Sequence, residues 1–187
     1  MRSAMYTQPA DYATLSRDCL GVLIPAGDTV VMPEGAEVRI TQALGGSFTV
    51  YYGGNLVRIA GKDADALGRE VPTGPVLPED AGDAAVEACI EDQLKTCFDP
   101  EIPINILDLG LIYDRQVETL PEGGRAVHIR MTLTAPGCGM GDILADEVRA
   151  KVAAVPTVQR VSVELTFEPP WDQSRMSEAA RLQTGMY

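Results

Sequence analysis

Apolar and polar residues follow two different rhythms along this chain. From Cys19 to Ala60 the apolar residues come in short runs broken by turn residues: "CLGVLIP", "TVVM", "AEVRITQAL", "SFTVYY" and "NLVRIAG". Turns fall at Pro25-Ala26-Gly27-Asp28, Pro33-Glu34-Gly35, Gly45-Gly46 and Gly53-Gly54-Asn55. Five strands at this spacing predict a small all-β barrel or roll, and the double glycine between "SFTVYY" and "NLVRI" predicts a hairpin. Beyond residue 83 the rhythm changes. Val86, Cys89, Ile90, Leu94 and Cys97 recur at helical spacing, as do Leu144, Val148, Val152 and Val155. Between these helices, "LIYDRQVE" and "AVHIRMTLT" flank Pro121-Glu122-Gly123-Gly124 and predict a hairpin. In "QRVSVELTFE", Val161, Val163, Leu165 and Phe167 alternate with polar residues, which predicts a third strand. The order α-β-β-α-β predicts an α+β unit with its helices packed on a small mixed sheet, closed by a right-handed crossover. "SRMSEAARLQTG" adds a short C-terminal helix ending near Gly185.

The two rhythms meet at "VPTGPVLPED", where three prolines and a glycine fall within ten residues. The expected organisation is an all-β domain over 1–74, a Pro/Gly linker over 75–82 and an α+β domain over 83–187. Charge sharpens this division. The net charge is -12, and residues 79–187, with 19 acidic and 9 basic side chains, carry -10 of it. So acidic a surface argues against nucleic-acid and anionic-membrane partners. The N-terminal "MRSAMYTQPADY" has no apolar signal core, and no apolar run approaches the roughly 18 residues of a membrane span. A cytoplasmic location, with Cys19, Cys89, Cys97 and Cys138 as reduced thiols, is the expectation.

Chemistry concentrates at "TLTAPGCGMGDI". Cys138 stands among three glycines where a strand gives way to a helix. A helix N-terminus favours a thiolate, and glycine lets a bulky group approach. An inert thiol in a tight turn is the alternative. Thr132 and Thr134 share one face of the strand leading to it, with His128 and Arg130, and threonine is also an ordinary strand residue. In "FDPEIPINILDLGLIYD", Pro100 and Pro103 end the first helix, and Asp99, Glu101, Asn105 and Asp108 populate the loop that follows. These groups suit either metal and partner contacts or turn capping. Cys89 and Cys97 belong to a helix core, Cys19 to the start of a strand and Trp171 to packing. No CxxC pair is present, and His128 is the sole histidine, which excludes a multi-histidine metal site within one chain. Nucleotide-binding and serine-hydrolase motifs are absent from the sequence.

Three stretches in order, "DPEIPINILDLGLIYD", "MTLTAPGCGMGDIL" and "EPPWDQSRMSEAARLQTGM", resemble the iron–sulfur assembly domain family, which includes PaaD-like bacterial proteins and eukaryotic iron–sulfur targeting factors. The resemblance covers Asp83 to Tyr187. "RDCLGVLIPAGDTV", "ITQALGGSFTV" and "GKDADALG" resemble the N-terminal extension of a bacterial maturation branch of that family. The resemblance implies a non-enzymatic factor that helps deliver clusters to apo-proteins. Its partners would be the iron–sulfur assembly machinery and apo-client proteins, with a homo-oligomer also open. It maps the family cysteine onto Cys138, the threonines onto Thr132 and Thr134, and the acidic-loop positions onto Asn105 and Asp108, with Glu101 beside them. The cargo would be iron or an iron–sulfur cluster, held transiently. A cluster usually takes about four thiolates, so Cys138 alone implies a labile, shared site. A metal-free adaptor is the second reading. A thiol enzyme using Cys138 with His128 as base is the third, and His128 lies ten residues back along the strand.

Overall fold

The computed structural model describes residues 11–78, 80–136 and 139–185. The chain divides into two compact units, Met1–Pro72 and Thr73–Tyr187. The first contains β1 (Asp11–Thr14), β2 (Cys19–Ile24), β3 (Thr29–Met32), β4 (Glu37–Leu44), β5 (Ser47–Tyr52) and β6 (Asn55–Ile59). They form one antiparallel sheet in the order β1-β4-β5-β6-β2-β3. All five predicted strands are present. The structure adds β1, whose "DYAT" carries no apolar run because it is an edge strand with only one residue half-buried.

Chain connectivity requires this sheet to roll. β3 lies at one edge and β4 second from the other, about four strand spacings or 19 Å apart in a flat sheet. Five Cα steps join Met32 to Glu37 and span at most about 18 Å when fully extended. They are not extended, because Ala36 N–H donates to Pro33 O at 3.1 Å in a turn. Gly35 N–H also donates to Leu15 O, just past β1, at 2.8 Å. The two edges therefore come together around one core, in which Leu15, Met32, Val38, Val50, Val57 and Ile59 are all but completely buried. A 3₁₀ turn, Gly61–Leu67, adds Ala66 and Leu67 to that core. Arg17 holds it there, its Nε and Nη2 donating to Asp65 at 2.8 and 2.7 Å and Nη2 to Asp63 at 3.0 Å. These bonds raise the Arg17 pKa further and lower that of the Asp65 carboxyl.

The second unit contains α1 (Asp83–Lys95), β7 (Ile112–Thr119), β8 (Arg125–Met131), α2 (Gly141–Ala153), β9 (Val158–Leu165) and α3 (Glu178–Thr184). The sheet order is β7-β8-β9, with β7 antiparallel and β9 parallel to β8, so α2 is the crossover between parallel neighbours. The predicted stripes are the buried ones. Val86, Ile90 and Leu94 of α1, and Leu144, Val148 and Val152 of α2, share a core with Val127, Ile129 and Met131 of β8. Phe167 departs from its expected inward face. β9 ends at Leu165, the alternation stops with it, and Phe167 is 43% exposed. The opposite sheet face is polar. There His128 Nδ1 lies 2.6 Å from Ser162 Oγ, and its Nε2 lies 4.0 Å from Glu118. Among the described residues no helix is long and apolar enough to cross a membrane.

Candidate functional site

Asp99 stands where the chain leaves α1 and is only 5% exposed. Its Oδ1 accepts from the N–H groups of Glu101 and Ile102 at 2.9 and 2.8 Å, the side-chain turn that Asp before proline favours. Its Oδ2 accepts from the Thr134 hydroxyl at 3.3 Å, across 35 residues of sequence. Between these two segments lies a small cleft lined by Asp99, Glu101, Thr134, Ala135, Met140 and Leu144, among others. Met140 and Leu144 are buried and give it an apolar floor, while Glu101 is exposed at its rim.

Two of its lining residues, Ala135 and Met140, stand on either side of the glycine-rich turn in sequence. Gly137 and Cys138 lie outside the described residues, and α2 begins at Gly141. Of the other predicted site residues, the structure brings Glu101 and Thr134 together. Asn105 and Asp108 form a separate cluster: Asn105 Nδ2 donates to Asp108 Oδ2 at 2.6 Å, and Asn105 Oδ1 accepts from the N–H groups of Leu107 and Asp108 at 3.1 and 3.0 Å. Neither lines the cleft. Asp99 is the residue that sequence reasoning left among generic loop acids. Its signal was the Asp-Pro step at a helix end, which marks a buried turn but does not name the threonine it meets.

Thr132 is fully buried, and its hydroxyl has no hydrogen-bond partner among the described residues. A buried hydroxyl left unpaired costs about 1–3 kcal/mol. Thr132→Val keeps the shape and removes the hydroxyl, so it is expected to stabilise the protein by about 1 kcal/mol. A urea unfolding midpoint that rises at unchanged slope is the check.

Among the described thiols, Cys19, Cys89 and Cys97 are buried. Burial pushes the Cys19 and Cys89 thiols up, with Asp63 adding to the shift at Cys19. At neutral pH these two stay protonated and inert. Among the described residues no three His, Cys, Asp or Glu side chains are grouped to hold a metal ion.

A sequence model described as "Iron-sulfur cluster assembly protein" matches residues 87–165. A Porphyromonas gingivalis protein named Fe-S protein maturation auxiliary factor is 46% identical over 99 residues, which span 90% of that protein and 53% of this chain. The chain belongs to the iron–sulfur cluster assembly family. Within it, the Fe-S protein maturation auxiliary factor SufT of Staphylococcus aureus is 38% identical over 89 residues, 97% of its length and 48% of this chain. A crystal structure titled as a domain of unknown function, DUF59, from Bacillus anthracis covers 56% of this chain and 95% of its own at 31% identity, with a TM-score of 0.47. The match to the family model falls wholly within the second unit, and it holds both walls of the cleft. Each of these relatives accounts for about half of this chain.

Proposed function

We propose that the protein is an accessory factor of iron–sulfur protein maturation that helps deliver clusters to apo-proteins. In this reading Cys138 is a labile ligand of the cargo or a thiol that grips the client. The observation that carries the reading is the cleft itself. In a chain that is 46% identical over 99 residues to a maturation factor, the cleft between Asp99 and Thr134 is lined by Ala135 and Met140, which precede and follow Cys138 in sequence.

The chemistry constrains how the cargo could be held. A cluster takes about four thiolates. Cys19, Cys89 and Cys97 are buried, so Cys138 is the one thiol of this chain left to offer. The remaining ligands would come from a second copy, a small thiol or the client. Incomplete ligation suits transfer, because the cargo leaves easily. The same burial favours a second reading, in which Cys138 belongs to a metal-free adaptor surface for the assembly machinery and its clients. Both readings need a soluble protein partner, and neither needs this chain to catalyse a reaction.

Anaerobic reconstitution of wild type and Cys138→Ser, with iron counting and visible absorption, separates them. The carrier reading expects absorption and iron in the wild type and at least a tenfold loss in Cys138→Ser, since one missing thiolate leaves a ligand position empty. No iron in either form, with apo-client activation still dependent on Cys138, would move the assignment to the adaptor. Activation indifferent to Cys138 would sink both.

A further inference from the structure

The segment that follows β9 lies beyond the match to the family model, and it does more than end the chain. Trp171 Nε1 donates to Leu109 O at 2.7 Å, and Ser177 N–H donates to Asp108 O at 2.8 Å. Tyr113 Oη donates to Pro169 O at 2.7 Å, and the Arg175 guanidinium sits 4.1 Å from the centre of the Tyr113 ring. Met176 and Ala180 are buried in the core of the second unit. Residues 169–177 are thus bonded to the loop 104–111 and to Tyr113 just beyond it.

That loop touches both walls of the cleft. Toward the Asp99 wall, Ile106 N–H donates to Cys97 O at 2.9 Å, Phe98 pairs with Asn105, and Asp99 N–H donates to Ile104 O at 3.2 Å. Toward the Thr134 wall, Thr132 N–H donates to Leu111 O at 2.8 Å. One loop therefore fixes the spacing that the Thr134–Asp99 hydrogen bond spans, and residues 169–177 fix the loop.

We infer that the C-terminal segment 169–177 is a positioning strap for the cleft, with Trp171 as its chief positioning residue: by holding Leu109 it sets the separation of the Asp99 and Thr134 walls. A partner that engaged the strap would loosen or tighten the cleft without touching it. The geometry stands without the functional reading, whereas the strap's bearing on delivery rests on it.

The test is amide hydrogen exchange on the full-length chain, wild type against Trp171→Phe, which keeps a packed ring and removes the N–H. Loss of one hydrogen bond predicts roughly tenfold faster exchange at Glu101, Ile102 and Thr132, with Val127 and the α1 amides unchanged. Equal acceleration across the whole unit would reduce Trp171 to a stability element and overturn the inference. Unchanged exchange at the cleft amides would overturn it too, even if apo-client activation fell. Faster cleft exchange with activation intact would uphold the strap and count instead against the cleft as the site of delivery. Trp171→Ala, followed by melting, serves as the reference for a strap that has lost its packing as well.

Discussion

Gly110→Ala is expected to destabilise the second unit by about 3–5 kcal/mol, among the largest effects of any single methyl group in this chain. Two causes add. Gly110 has φ 70°, where an L residue costs roughly 1–2 kcal/mol. A Cβ there would also run into the backbone carbonyl of Arg175, which cannot swing aside as a flexible side-chain end could. The segment around Arg175 must lift. It then gives up the Trp171–Leu109 and Ser177–Asp108 hydrogen bonds, each contributing about 0.5–1.5 kcal/mol, along with the burial of Met176 and Ala180. Gly123→Ala is the matched control. Its φ is 90°, but an added Cβ meets nothing within 4 Å, so only the backbone cost of roughly 1–2 kcal/mol remains. Chemical denaturation of both variants reads the difference directly. Equal losses at the two positions would mean that the close approach of Arg175 is not held in solution.

Periodicity disclosed what repeats and missed what depends on single long-range contacts. The stripes of α1 and α2 were legible because burial on one face imposes a 3.6-residue period over three turns or more. β9 was legible through the alternation from Val161 to Leu165, but extending that alternation to Phe167 failed because nothing in the pattern marks where pairing stops. β1 carried no signal at all, since an edge strand with exposed side chains has no apolar period to display. The site shows the same split. Thr132 was placed with His128 and Arg130 on one face by alternation. His128 and Arg130 are exposed, yet Thr132 is fully buried, because burial at the end of a strand depends on what packs there rather than on parity. The strap was the least legible feature. Trp171 read as a packing residue, which it is, but its bond to Leu109 joins positions 62 residues apart. The resemblance supplied the three motifs in order, and in the structure the "EPPW" stretch and its continuation are bonded to the "DLGL" loop.

Asp99 allows structure and charge to be separated within the cleft. Asp99→Ala strands three donors at once, the N–H groups of Glu101 and Ile102 and the Thr134 hydroxyl, in a place that is 95% shielded from water. Leaving such donors unpaired is expected to cost about 2–4 kcal/mol, seen as an earlier urea midpoint. Asp99→Asn behaves differently. Its carbonyl oxygen can keep both backbone donors, and its amide can donate to the Thr134 oxygen with that hydroxyl turned around, so the expected loss is about 1 kcal/mol. The fold then survives while the negative charge at the wall of the cleft is gone. A carboxylate 3.3 Å from Thr134 at the wall of a cleft would attract iron or repel a thiolate, and the neutral amide does neither. If the charge serves cargo handling, Asp99→Asn should lower iron uptake or client activation several-fold at nearly native stability, whereas Asp99→Ala should lose both together. Asp99→Asn with native stability and native activation would confine Asp99 to the turn it caps, and the polar chemistry of the cleft lining would then rest on Glu101 and Thr134.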